Sequence, residues 1–185
     1  RDRLRSRGLG DVYKRQELLI DKDGFISGAR FSPDGTQVLV SGSPESLGGI
    51  GKNVKEGQTP SMTDGQLYLL NIADKRVTPL TKDFNPSVQR AVWNKADGQI
   101  YFTAENRDCY SLYRMNPADG KIQQLEVSED LVNSFSLAQN APVMAYYGQS
   151  ASNSDRLYTM NTKKMKSSFC LLYTSPSPRD RSLSR

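Results

Sequence analysis

Leu-Tyr pairs stand at 67–68, 112–113 and 157–158, a constant interval of 45 residues, and nothing else in the chain restricts its fold so sharply. A fixed interval of this kind means one supersecondary unit repeated, each too small to bury its own apolar face and each completed by its neighbour. The pairs open hairpin-like segments at Gln66–Leu80, Ser111–Leu125 and Arg156–Met165. A second hairpin pattern precedes each of them, at Ala29–Ser41, Ala91–Thr103 and Ser134–Tyr146. There an aromatic residue (Phe31, Trp93, Phe135) stands before a turn and a short apolar strand follows. Asp34-Gly35 and Asp97-Gly98 supply the positive φ that such tight turns require.

Four short strands in roughly 40–45 residues is the period of a propeller blade. The strands are rich in Val, Ile, Tyr and Phe and are bounded by Gly, Pro, Asn or Asp. The expected fold class is therefore all-β: a partial β-propeller of about three four-stranded antiparallel blades with a WD40-like period, over residues 25–81, 87–126 and 131–169. A helical solenoid would need long helical periods, and only Ser128–Ser134 shows even a weak one. A β-sandwich would give similar strands without the fixed register. Phe31 and Trp93 are 62 residues apart, whereas Trp93 and Phe135 are 42 apart. The surplus is an insertion at 43–64, between the second and third strands of blade one, expected to project from one face of the disc. Propellers close with roughly 4–8 blades, so three blades leave bare edges and predict association, and the chain reads as a piece of a longer product.

The two ends differ from the middle. Residues 1–16 and 170–185 are rich in Arg and Ser and carry no amphipathic period. Cys170–Asp180 resembles the translation of a transposase sequencing adapter, and Ser6–Gln16 resembles the reverse complement of the same oligonucleotide in another frame. Both tails are set apart as disordered adapter-derived segments, leaving 17–169 as the propeller. The whole chain has a formal charge of +5, but residues 17–169 hold 16 Lys+Arg against 17 Asp+Glu, so the basic character belongs to the tails. A nucleic-acid partner is thereby excluded. No run of about 18 apolar residues exists to cross a membrane as a helix.

The chain contains no histidine, which excludes a Ser-His-Asp or Cys-His mechanism completed within it. Of its two cysteines only Cys109 lies outside the tails, so neither a four-cysteine zinc site nor a disulfide framework is available. Gly148–Ser152 comes close to a nucleophile elbow, but ends in Ser152 rather than Gly and reads as a loop between blade strands. Gly48–Asn53 fails the phosphate-loop pattern at Ser46 and at Asn53. Glu129-Asp130 reads as a solvated face, Trp93, Tyr101 and Phe102 as packing between blades, and Cys109 as a small filler. No catalytic, cofactor-binding or metal-binding residue is assigned, and no cofactor is expected.

Phe31-Ser-Pro-Asp-Gly35, the following strand, the Leu-Tyr pair and Val77-Thr-Pro-Leu-Thr81 together resemble the blade signature of two propeller groups. One is the N-terminal propeller of prolyl oligopeptidase (S9) serine peptidases, including dipeptidyl peptidase IV-like and acylaminoacyl-peptidase-like members. The other is the propeller of TolB-like periplasmic proteins. The resemblance covers nearly all of 17–169, and Gly65–Leu70, Leu80–Val88 and Ala145–Tyr158 are similar to S9 peptidases of Bacteroidetes-type bacteria. That resemblance implies a non-catalytic propeller that covers a C-terminal α/β-hydrolase domain, admits short peptides and excludes folded proteins. It also implies a peptide substrate met through that domain, a periplasmic or exported location, and a possible homo-oligomer of the full-length parent. The Glu-Glu pair with which the dipeptidyl peptidase IV group holds a substrate amino terminus does not occur in 17–169, so that specificity is not carried over. A TolB-like protein-binding propeller without a hydrolase domain is the alternative. A carbohydrate- or quinoprotein-type enzyme propeller finds no converging carboxylates or metal cluster in the sequence to support it.

Overall fold

The structure, a computed structural model, describes residues 24–170; apart from Cys170, both adapter-like tails lie outside them. The chain divides after Phe84 into two compact units. The first is one antiparallel sheet in chain order, β1 (Ile26–Phe31), β2 (Gln37–Gly42), β3 (Gln66–Asn71) and β4 (Val77–Pro79). The second holds two more four-stranded blades of the same plan, joined in one eight-stranded sheet. One is β5 (Ser87–Trp93), β6 (Ile100–Asn106), β7 (Cys109–Met115) and β8 (Ile122–Gln124), and the other is β9 (Leu131–Leu137), β10 (Val143–Ser150), β11 (Asn153–Asn161) and β12 (Lys166–Phe169). A single parallel bridge, Tyr110 to Leu131, links these two blades, and the Tyr110 N–H donates to the Asp130 carbonyl at 3.1 Å. The fold is all-β with antiparallel four-stranded blades, as the repeat requires.

Turn chemistry explains why each hairpin closes where it does. In blade one the Asp34 carboxylate accepts from the Ser32 hydroxyl, the Thr36 hydroxyl and the Thr36 N–H, and Gly35 takes φ 73°. In blade two Asp97 accepts from Asn94 Nδ2 and the Gln99 N–H, and Gly98 takes φ 69°. These carboxylates replace the backbone partners that a two-strand reversal leaves empty. In the β7–β8 turn, Asn116 and Asp119 side chains likewise accept from backbone N–H groups at 3.1 and 2.9 Å.

Burial differs between the units. In unit one, Val38 and Val40 of β2 stand opposite Leu70 and Tyr68 of β3, and Leu47 and Ile50 of the insertion pack on them. The start of the insertion therefore folds back over the sheet rather than simply projecting. Leu47 reaches this position with φ 60°, and the Tyr68 hydroxyl donates to the Ser43 carbonyl at 2.7 Å, fixing the point of return. Farther along, Val54 and Met62 are exposed. In unit two, Tyr101 and Leu112 pack with Val132, Phe135, Met144, Tyr146, Tyr158 and Met160, so adjacent blades cover one another. Tyr146 and Tyr158 stack within this core at 5.2 Å. Strand β6 is buried without alternation from Ile100 to Ala104, as a strand covered on both faces must be.

Three expectations change. Ser128–Ser134 is not helical: β9 begins at Leu131, and the preceding residues form the crossover from β8. Glu129 is no solvated face, for it is 4% exposed. Gly148 lies within β10, beside a register shift, and a Cβ there would sit 2.3 Å from the Leu131 carbonyl oxygen. Its glycine is required by close backbone approach, not by a catalytic turn. Of the three aromatics, Tyr101 and Phe102 are fully buried, while Trp93 is partly buried and donates its indole N–H to the Gly98 carbonyl at 3.0 Å.

Candidate functional site

The β6–β7 turn and the β8–β9 crossover lie at the same end of blade two. Between them is a cavity of about 440 Å³, lined by Cys109, Ser111, Gln124, Glu126, Glu129 and Asp130, with Leu125 and Val127 beneath. Leu125 and Val132 belong to the core on either side of the crossover, so the intervening acidic residues are held at the rim by apolar anchors. Tyr158 reaches across from β11 and donates its hydroxyl to Glu129 Oε1 at 2.5 Å. That bond, together with burial, pushes the Tyr158 phenol above its usual value. Glu129 Oε2 is buried and has no hydrogen-bond partner.

The chemistry of this lining favours binding over bond-making. Partial burial and the charges of Asp108 and Asp130 push the Cys109 thiol upward, so it stays protonated at neutral pH and is a poor nucleophile. Three carboxylates line the cavity and no lysine or arginine does. Among the described residues no group of three or more His, Cys, Asp or Glu is placed to hold a metal ion. The sequence pointed to Glu129 and Asp130 as neighbours but gave no reason to bury one of them; the only available signal was the flanking pair Leu125 and Val132.

A second cavity, also about 440 Å³, opens at the opposite end of blade two among Gln99, Arg114, Asn116, Asp119 and Lys121. Its charges are mixed, and Arg114 is engaged with Gln123 at 2.8 Å. In the insertion, Lys52 pairs with Glu45 at 2.7 Å, so the residue that would meet a phosphate has a carboxylate beside it.

No protein-family model matches the chain, and no curated protein matches it. Solved structures do. The chain is similar to TolB from Acinetobacter baumannii, with 17% identity and a TM-score of 0.58 over 83% of this chain and 34% of that one. It is similar to the β-propeller domain of the trilobed protease from Pyrococcus furiosus, with 21% identity and a TM-score of 0.54 over 77% and 37%. It is also similar to a puromycin hydrolase, with 17% identity and a TM-score of 0.56 over 80% and 22%. The class these likenesses define is the β-propeller. Within it, the fold is the one these three structures share, and the chain spans well under half of each.

Proposed function

We propose that the chain is part of the N-terminal propeller of an S9-type serine peptidase, and that this propeller gates short peptides toward a C-terminal α/β-hydrolase domain outside the sequence. The reading is carried by the similarity to a protease propeller and to a puromycin hydrolase. The runs Gly65–Leu70, Leu80–Val88 and Ala145–Tyr158 point the same way. In this role the propeller needs no catalytic residue; it filters by size and leaves the chemistry to its partner domain. The same reading carries an exported location and a peptide substrate. A TolB-like binding propeller is the second reading, and the TM-score of 0.58 to TolB favours it.

Long-read sequencing through the codon for Phe169, in the DNA from which the chain derives, separates the two. The peptidase reading expects the frame to run through further blades into Gly-x-Ser-x-Gly with a later Asp and His. It also expects the complete enzyme to cleave short peptides and spare folded proteins. Blades that close and then stop would overturn it in favour of the binding propeller.

A further inference from the structure

We propose that the insertion of blade one masks a docking face, and that the partner this face fits is blade three of a second copy of the chain. Nothing in this depends on which reading of the parent protein holds. Unit two shows how one blade receives another. Blade two offers Tyr101 and Leu112, and blade three meets them on the side that carries Phe135, Tyr146 and Tyr158. Because neighbours on a strand point to opposite faces, the Leu of each Leu-Tyr pair looks toward the following blade and the Tyr toward the preceding one. In blade one the side equivalent to that of Tyr158 belongs to Tyr68, with Val38, Val40 and Leu70 beside it. What packs there is the insertion, through Leu47 and Ile50. The insertion thus sits where, on blade three, another blade sits.

The mask is held in place by specific contacts. Ser46 Oγ accepts from the Ser43 N–H at 3.1 Å and donates to the Phe25 carbonyl at 2.9 Å, tying the insertion to the residue ahead of β1. Two glycines let these segments close: a Cβ at Gly42 would stand 2.7 Å from Ser46 Oγ, and one at Gly51 would strike the Tyr68 hydroxyl. Yet the mask is smaller than the face. Phe31 pairs with Val38, shares its side of the sheet, and is 67% exposed. A partner the size of a blade would cover it, and the chain itself carries one. Tyr147 and Leu157, paired across strands, stand on the other side of blade three from Tyr158 and are 42% and 41% exposed. Leu157 holds the place of Leu112, so its contact with the Tyr68 side of a second copy would repeat the one that Leu112 makes with the Tyr158 side. Such a contact uses two different faces and continues from copy to copy, so masking one of them arrests it.

Light scattering on the full chain tests the mask. Leu47→Ser with Ile50→Ser opens the face, and the mean mass at a given concentration should rise about twofold or more over the unaltered chain and keep rising with concentration. Adding Tyr147→Lys and Leu157→Lys to the opened chain removes the other half of the contact and should return it to the monomer. Mixed with the unaltered chain, this quadruple variant should form mixed pairs, because each then supplies the face the other lacks. Aggregation of an unfolded chain would not need that mixture. Circular dichroism checks that the β signal is kept, and Ile50→Ser alone carries the test if the double variant loses it. An opened chain no heavier than the unaltered one, growth that survives the two lysines, or a mixture that does not pair overturns the proposal.

Discussion

Leu112 and Leu157 hold the same place in successive blades, each opening a Leu-Tyr pair on the third strand, yet Leu112 is fully buried and Leu157 is 41% exposed. Their cross-strand partners follow suit: Thr103, opposite Leu112, is buried, while Tyr147, opposite Leu157, is 42% exposed. The Leu-Tyr pair and its place on the third strand are the same on both sides of this comparison; the cross-strand residue and the neighbouring blade differ. Leu112 belongs to the core shared with the next blade, and Leu157 lies outside that core. Unit one buries the equivalent Leu67 fully, and on the opposite face of the same strand Leu47 and Ile50 of its own insertion pack with the fully buried Tyr68. A blade is thus an incomplete object whose apolar faces are covered either by another blade or by a loop that folds back.

The sharpest way to test this is to shorten the same side chain in both places. Leu112→Ala should cost about 2–5 kcal/mol, the range for a buried leucine whose cavity does not fully collapse. Leu157→Ala should cost under about 1 kcal/mol, since little apolar surface is lost from a half-exposed site. Urea unfolding of each variant gives the comparison. Equal losses would break it, and would mean that Leu157 is covered in solution. Light scattering on the Tyr147→Lys, Leu157→Lys double variant decides that case, because charges on this face should reduce association of the chain through its open blade.

The cover in unit one can be removed without straining the backbone. Leu47 adopts φ 60°, and asparagine tolerates that region better than most residues. Leu47→Asn should therefore lose the apolar cover and bury an amide in its place, at a cost of about 2 kcal/mol or more in the same unfolding assay. An unchanged midpoint would mean that the insertion contributes nothing to the sheet beneath it.

Alkaline titration reads the same contrast through two phenols. Burial holds Tyr68 up at about 12, and burial with a hydrogen bond to Asp97 holds Tyr101 at about 12, against an ordinary value of 10.0. Raised values favour the neutral form in the fold, so this contribution to stability is complete below about pH 10 and is lost as the pH rises through 12. Absorbance at alkaline pH should show Tyr68 and Tyr101 ionising late, with Tyr158 also above its ordinary value. Asp97→Asn should bring Tyr101 down and leave Tyr68 in place, whereas Leu47→Asn should do the reverse. A joint shift in either variant would dissolve the distinction between the units.

The repeat and its turns were legible because they depend on local rules. Asp34-Gly35 and Asp97-Gly98 close their hairpins with residues a few positions apart, and the interval of 45 residues fixes where each strand falls. The site was not legible, because burial of Glu129 depends on Tyr158, which is 29 positions away and in the next blade. Adjacent acidic residues ordinarily face water, and nothing within the crossover says that one of them turns inward. The return of the insertion was hidden for a related reason: Leu47 takes a left-handed conformation that its residue type does not announce. What sequence conveys poorly here is long-range cover, the very quantity that separates Leu112 from Leu157.

The smallest expected effect lies in the second turn of each blade, where Lys75, Gly120 and Met165 stand 45 residues apart and all take positive φ, at 57°, 68° and 52°. Only blade two uses the residue for which that conformation carries no steric penalty. Gly120→Lys should cost about 1 kcal/mol, the strain of a left-handed residue less the entropy recovered from the unfolded glycine. Lys75→Gly, at an exposed position, should gain about 0.5 kcal/mol, the relieved strain being partly offset by the interaction that Lys75 makes. Met165→Gly should gain nothing, because Met165 also packs against the core of unit two, and the lost apolar contact offsets the relieved strain. If Met165→Gly stabilises as much as Lys75→Gly, the methionine is only a turn residue, and the core of blade three ends short of its last hairpin.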